Sequence, residues 1–254
     1  MGNLFSKKVK VVSKEGVCIT DIKHQIKPLD LIVFRGSEFV SDAISFVEKI
    51  SLGKGDWTHI GIVVTPEIMP IHNSVPGKLY IWESTMSGKL LGDGVNNIET
   101  NGATFGVQIR ELEDVLDKYD NDPKTRVGWC RLIKNPLDQL LNEDINIYNT
   151  RRKFVIDTVT RLNKQIGNAT YDYNCCNLFS TVCCTCSSYR REIFGHPNRY
   201  FCSELVAKVY IELGIIRKNI DPEKVAPEEF LGYTNDGIKQ PVDNPVVITR
   251  VWKK

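Results

Sequence analysis

The sequence predicts an α+β protein in which an antiparallel sheet packs against helices, with a cysteine at the start of one helix. Short runs of apolar, β-branched residues recur along the chain and are bounded by Gly, Pro, Asn and Asp. Two longer stretches, residues 151–166 and 203–213, repeat their apolar residues at the 3.6-residue period of an amphipathic helix. Strands and helices of this kind favour a sheet covered by helices.

Composition limits the classes of protein that fit. The chain has 254 residues, of which 42% are apolar and 25% are charged, as in a globular protein. A formal charge of +2 does not suggest a nucleic-acid partner. No apolar run approaches the roughly 18 residues of a membrane-spanning helix, and the start lacks a secretory signal. We expect an N-terminal anchor over residues 1–13 and a single domain over residues 14–254.

The first residues match an N-myristoylation signal, with Gly2 as the acceptor and Ser6 at the expected position. Lys7, Lys8 and Lys10 follow directly. One myristoyl chain binds membranes only marginally, and a basic segment supplies the second attraction. The pattern predicts a membrane surface as a partner, on the cytosolic face. An ordinary start with solvated lysines is the alternative.

The predicted elements begin near Pro28. The predicted strands cover residues 31–34, 58–64, 79–84, 107–110, 127–133 and 246–248. The predicted helices cover residues 39–50, 111–118, 151–166 and 203–213. Gly167 and Gly214 are expected to end the last two helices.

A histidine opens the strand at 58–64. His59, Gly61 and Val63 share one face of that strand, because strand side chains alternate. Gly61 is expected to leave space above the sheet on the face of His59. A structural role is the commoner one for a lone histidine in a strand, and it remains the alternative to a catalytic base.

Glu83 lies within the next apolar strand, which can pair antiparallel with the strand of His59. A carboxylate in such a position is costly unless something binds it. An imidazole from the neighbouring strand is a natural partner, and the carboxylate would orient the ring. A glutamate at a strand end in solvent is the alternative.

Cys202 stands at the start of the helix that follows it. The positive end of the backbone dipoles favours a thiolate there, and thiolate is the nucleophilic form of cysteine. Glu204 adds the carboxylate that first helical turns favour. A buried helical cysteine without chemistry is the alternative.

Five of the eight cysteines crowd into an insert at about residues 174–199. They are Cys175, Cys176, Cys183, Cys184 and Cys186, with His196 nearby. Their spacing departs from the usual C-x2-C zinc pattern, so no metal and no cofactor is predicted. S-acylation and a surface loop with disulfides remain open.

Five ordered segments resemble a known family: residues 29–32, 58–63, 82–84, 171–173 and 201–206. Together they are similar to the circularly permuted branch of papain-like, NlpC-type cysteine hydrolases, which includes bacterial YiiX-like proteins and poxvirus relatives. The resemblance covers most of the chain, from Pro28 to Leu231. It implies a permuted papain-like fold with a catalytic cysteine at a helix N-terminus.

The resemblance also implies a triad in which Cys202 is the nucleophile, His59 the base and Glu83 the residue that orients the base. Neutral His59 is expected to take the thiol proton. The backbone N–H of Cys202 is expected to hold the oxyanion, and Tyr200 is a further candidate for that role. The implied function is that of a membrane-associated cysteine hydrolase that cleaves an amide or ester bond. A lipid or a lipidated molecule is one candidate substrate.

Two alternatives belong to other classes. One is a non-catalytic, membrane-anchored viral structural or adaptor protein that retains the fold, and the other is a zinc-binding interaction module. The expected location is the cytosolic face of a host membrane. If the chain is viral, the virion is a second expected location.

Overall fold

The computed structural model describes residues 16–35, 57–85, 95–102, 104, 106–120, 125–167, 169–171, 199–231 and 240–249. Three sequence predictions lie outside these described residues: the anchor with Gly2 and its lysines, the helix at 39–50, and the cysteine-rich insert. Within the described ranges, none of the helices combines the length and the hydropathy that a bilayer-spanning segment requires.

The described residues form a mixed α+β structure. The strands are β1 (Val17–Cys18), β2 (Leu31–Arg35), β3 (His59–Val64), β4 (Tyr80–Thr85), β5 (Gly106–Glu111), β6 (Arg126–Cys130), β7 (Thr170–Tyr171), β8 (Arg199–Tyr200) and β9 (Val246–Thr249). The α-helices are α1 (Ile19–Ile22), α2 (Leu112–Asp120), α3 (Ile145–Ile166) and α4 (Cys202–Glu212). Short 3₁₀ helices cover Lys23–Gln25, Pro222–Lys224 and Pro227–Leu231.

Seven strands build the main sheet, in the order β1-β9-β6-β2-β3-β4-β5. Its pairs are antiparallel except β1 with β9. The predicted antiparallel pairing of the His59 strand with the Glu83 strand is confirmed, with Ile62 opposite Trp82. Strands β7 and β8 form a separate parallel pair.

The sheet is covered on both faces, because alternate residues of its strands enter two different cores. On one face Ile60, Ile62 and Trp82 pack with the buried residues of α3 and α4. On the other face Val63 and Ile81 pack with those of α1 and α2. Burial on both faces explains why these strands are almost continuously apolar.

Asp30 joins the front of the sheet to its neighbours. Its carboxylate is fully buried and accepts hydrogen bonds from the backbone of Lys27 and Leu132 and from the indole of Trp129, each at 2.9 Å. The preceding Leu29 has a φ of 74°, and its carbonyl accepts the Tyr210 hydroxyl of α4 at 2.7 Å. The turn before β2 therefore fixes α4 relative to the sheet.

Two element boundaries differ from the sequence prediction by three residues or more. Strand β6 ends at Cys130 rather than at residue 133, because Asp30 takes the N–H of Leu132, which forms only an isolated bridge with Val242. Helix α3 begins at Ile145, six residues before the predicted start at 151. Asp144 caps it by accepting the N–H of Asn146 at 2.7 Å.

Candidate active site

His59 is the first residue of β3, so its ring lies at an end of the sheet. The imidazole packs against Phe34, its cross-strand neighbour on β2, with ring centroids 5.2 Å apart. The His59 side chain is 13% exposed, and most of its surface is therefore in contact with protein. The aromatic contact restricts the ring and leaves its nitrogens to polar partners.

Glu83 is one of these partners. Its Oε2 lies 2.5 Å from His59 Nε2, and the carboxylate is fully buried. An imidazole has two ring nitrogens, so engagement of Nε2 leaves Nδ1 for another group. The pairing of Glu83 with His59, expected from the sequence, is present.

Arg110 holds the other side of the same carboxylate. Its Nε and Nη2 both lie 2.6 Å from Glu83 Oε1, and the arginine is 1% exposed. Burial raises the pKa of Glu83, but Arg110 and His59 outweigh burial and lower that pKa to about 2. Glu83 is therefore ionised at neutral pH although it lies in the interior.

Gly61 allows Glu83 to approach His59. A Cβ on Gly61 would stand 2.6 Å from Cγ1 of Ile81 and 3.0 Å from Cβ of Glu83. The sequence predicted open space above Gly61 on the face of His59, and this was wrong. The side chains of β4 fill that space, and the glycine permits the close contact between β3 and β4.

Cys202 is the first residue of α4, as predicted. Glu204 accepts the N–H of Phe201 at 3.3 Å and so closes the first turn. Ser84, which follows Glu83 on β4, donates to the carbonyl of Tyr200 at 2.6 Å. These contacts hold the start of α4 against the strand that carries Glu83. The helix ends after Glu212, and Gly214 has a φ of 72°.

Cys202 lies near His59, since its side chain acts on the protonation of the imidazole through charge and hydrogen bonding. Burial lowers the pKa of His59, but the charge and hydrogen bond of Cys202, together with Glu83, raise that pKa to about 10. Both the cysteine and the carboxylate thus favour the protonated form of the imidazole.

The chain matches no protein-family profile and no curated protein. The chemistry open to the chain is therefore that of its own side chains. They form one continuous contact series, Cys202–His59–Glu83–Arg110, drawn from α4, β3, β4 and β5. The residue Cys202 is 3% exposed, so little of it is open to solvent.

Tyr200 is already occupied by other contacts. Lys208 Nζ donates to its hydroxyl at 2.8 Å and lies 5.1 Å from the ring centroid. A lysine one helical turn or more into α4 thus fixes the phenol in place. This contact does not support the suggested role of Tyr200 in stabilising an oxyanion.

The sequence analysis identified Cys202, His59 and Glu83 but missed Arg110. The sequence contains the information needed to find Arg110, because a charged residue buried in an apolar strand needs a partner of opposite charge, whether it is an acid or a base. The same reasoning that selected Glu83 in β4 applies to Arg110 in β5. The sequence does not give the strand register, however, and the diagonal placement of these two residues depends on it.

The remaining predicted site residues, Gly2, Lys7, Lys8 and Lys10, lie outside the described residues. So do the five clustered cysteines. Among the residues that the structure describes, no group of three His, Cys, Asp or Glu side chains could hold a metal ion. The other described cysteines, Cys18 and Cys130, are buried, and burial raises the pKa of Cys130 far above its ordinary value.

Proposed function

We propose that this protein is a membrane-associated cysteine hydrolase with a circularly permuted papain-like fold. It cleaves an amide or ester bond through an acyl-enzyme on Cys202. The observation that supports this most strongly is the contact of Cys202 with an imidazole that is itself held by a buried, ionised carboxylate. Nucleophile, base and orienting group then occur in the order that covalent catalysis requires.

In the first step the Cys202 thiolate attacks the carbonyl carbon of the substrate. A C–S bond forms, and the carbonyl π electrons move to the oxygen. Protonated His59 then gives its proton to the leaving amine or alcohol as the C–N or C–O bond breaks. The products of this step are the free leaving group, a thioester on Cys202 and a neutral imidazole.

In the second step neutral His59 takes a proton from water, and the hydroxide attacks the thioester carbon. The C–S bond breaks, releasing the acid and restoring the thiolate beside protonated His59. Glu83 stays ionised throughout and stabilises the imidazolium, and Arg110 keeps Glu83 in that state. The N–H groups at the start of α4 supply positive potential for the oxyanion.

Membrane association is supported by the acylation signal at Gly2 and by Lys7, Lys8 and Lys10. It places the enzyme on the cytosolic face of a membrane, or in a virion if the chain is viral. A substrate that is itself a lipid or carries one suits that position. The nucleophile then meets its substrate at the membrane surface.

The test is alkylation by a small electrophile, iodoacetamide, with modified peptides resolved by mass spectrometry. The reaction is run at pH 5 to 6, where thiols without an activating partner are protonated and react slowly. We expect the Cys202 peptide to be modified in that range and the Cys130 peptide to stay unmodified. His59→Asn should abolish the acid-range reaction. Equal, slow modification of both peptides would refute the proposal.

A second candidate is a non-catalytic adaptor that retains the fold. The observation in its favour is the 3% exposure of Cys202. An adaptor would give no acyl-enzyme with acyl-amide or lipid-ester probes, and Cys202→Ala would leave its membrane association unchanged. An enzyme would form a probe adduct that Cys202→Ala removes.

A further inference from the structure

A group of large apolar side chains is exposed in the turn before α3 and on the first turns of that helix. Its members are Leu140 (62% exposed), Leu141 (93%), Ile145 (54%), Ile147 (60%) and Phe154 (52%). Monomeric proteins rarely expose contiguous apolar patches larger than a few hundred Å², and larger ones mark interaction sites. Ile147 and Phe154 are seven positions apart and share one side of the helix, whereas Ile145 lies on the other side. We call Leu140, Leu141, Ile147 and Phe154 the α3 apolar face.

The face is built on a rigid support. Arg151 donates to the carbonyls of Pro136 and Asp138, both at 2.7 Å, and binds the carboxylate of Glu143 at 2.5 and 2.9 Å. Glu143 in turn accepts the N–H of Leu140 at 3.1 Å. One arginine therefore holds the turn with Leu140 and Leu141 against the helix that carries Ile147 and Phe154.

The shape of the face is convex at the turn. Asn142 has a φ of 62°, which reverses the chain immediately after Leu141 and leaves that side chain projecting. Beside it, Ile147 and Phe154 border a shallow open depression. A leucine that projects from a turn in this way fits a deformable surface such as the boundary region of a bilayer.

The charges near the face are largely compensated. Asp138 pairs with Lys27 at 2.5 Å, and Glu143 pairs with Arg151. Asp144 is used to cap α3. Lys153, next to Phe154, is exposed at the rim. Two of these three carboxylates are therefore paired with a cation, and the third lies at the N-terminus of the helix.

We propose that the α3 apolar face is a second membrane-contact site, in which Leu140, Leu141, Ile147 and Phe154 enter the interfacial region of a lipid bilayer. The inference rests on the membrane association proposed above and deepens it by assigning a surface of the folded domain. Insertion of apolar side chains at the boundary between headgroups and acyl chains is a recognised mode of peripheral binding.

The chain that precedes the described residues supports a bilayer as the occupant. Gly2, with its acylation signal, is 14 residues before Gly16, so an extended link reaches at most about 50 Å. A domain of this length has a radius of gyration of about 18 Å. The acyl chain and the α3 apolar face can therefore lie on one bilayer. The acyl chain and the N-terminal lysines tether the chain end, and the α3 apolar face would add a contact made by the folded domain itself.

The experiment uses the full chain carrying Gly2→Ala, so that the acyl anchor is absent. Sedimentation with vesicles of neutral phosphatidylcholine, at high salt, removes the contribution of the N-terminal lysines. We expect measurable partition of this protein, and a decrease of about tenfold or more when Leu140→Asp and Leu141→Asp are combined. A matched control is Val75→Asp, another exposed apolar residue outside the face, which should partition unchanged.

A spectroscopic reading complements sedimentation. Leu141→Trp should show a blue shift of its fluorescence on adding vesicles, and Val75→Trp should not. Equal partition of the Leu140/Leu141 variant and its parent would overturn the inference. So would a concentration-dependent dimer, seen by light scattering, that the double variant abolishes while vesicle binding is unaffected, since the face would then join two copies.

Failure here is separable from failure of the proposed chemistry. Cys202→Ala should bind vesicles as its parent does, whereas the Leu140/Leu141 variant should keep the acid-range alkylation of Cys202. Loss of alkylation with intact vesicle binding would refute the hydrolase and leave the membrane contact standing.

Discussion

Arg110 lies diagonally across the β4–β5 pair from Glu83, and its guanidinium binds the carboxylate oxygen that His59 does not use. One buried carboxylate is thus shared by two cationic groups. Without Arg110, burial would favour the protonated acid, which cannot stabilise an imidazolium. The charge state of the His59 ring therefore depends on an arginine that acts through the carboxylate the two residues share.

The first prediction concerns that arginine. Arg110→Met should lower the free energy of unfolding by about 3 to 5 kcal/mol, because it leaves Glu83 buried with one cationic partner fewer. The pKa of Glu83 should rise and that of His59 should fall. Urea unfolding measures the first effect, and alkylation of Cys202 at pH 5 to 6 measures the second.

A double variant supplies the control for Arg110. Glu83→Gln with Arg110→Met removes both charges, so it should be more stable than Arg110→Met alone. Its Cys202 should still react poorly at acidic pH, because the ring has lost its carboxylate. Equal instability of the single and double variants would mean that Arg110 acts by packing and not by charge.

The second prediction concerns pH. The folded pKa of Glu83 is about 2, against an ordinary 4.5, so its ionised form stabilises the fold above pH 4.5. This contribution, about 3 kcal/mol, is lost as the pH falls from 4.5 through 2. The folded pKa of His59 is raised from 6.5 to about 10, so its contribution is complete below pH 6.5 and is lost as the pH rises through 10.

Urea unfolding from pH 2 to 10 tests both branches. Asp30 opposes the acid branch, since burial raises its pKa, and the comparison must therefore be made between variants. The difference between wild type and Glu83→Gln should shrink as the pH falls below 4.5. The difference between wild type and His59→Asn should shrink as the pH rises above 6.5. A constant difference in either range contradicts the assigned shift.

The sequence predicts the strands well where both faces are buried, because their apolar runs have no helical period. It predicts Cys202 at a helix start for an equally local reason. It misplaces the start of α3, since Ile145 and Ile147 face outward and do not extend the buried pattern. It also misses Arg110, whose role depends on strand register, and register is set by contacts distant in sequence.

The third prediction concerns Gly61. Gly61→Ala would place a Cβ 2.6 Å from Ile81 and 3.0 Å from the Cβ of Glu83. Either β4 shifts or the side chains leave their rotamers, at a cost of about 1 to 3 kcal/mol. The carboxylate should also move away from His59. We therefore expect a lower free energy of unfolding and a slower alkylation of Cys202 at pH 5 to 6.

Gly102→Ala is the matched control, since a Cβ there meets only a carbonyl oxygen at 3.8 Å. It should change neither stability nor alkylation. Adding Ile81→Ala to Gly61→Ala should restore part of the alkylation rate by clearing the nearest contact. Normal alkylation in Gly61→Ala would show that the glycine does not set the distance between Glu83 and His59.

The fourth prediction separates the hydrogen bonds of Asp30 from its charge. Asp30→Ala leaves the N–H groups of Lys27, Leu132 and the Trp129 indole without their acceptor, which should cost on the order of 3 to 5 kcal/mol in urea unfolding. Asp30→Asn keeps an amide oxygen that can accept from Lys27 and Trp129, which share one carboxylate oxygen. Because burial raises the pKa of Asp30, the lost charge itself costs little. Asparagine should therefore retain at least half of the stability that alanine loses, and equal losses would mean that the charge, not the three hydrogen bonds, holds this turn.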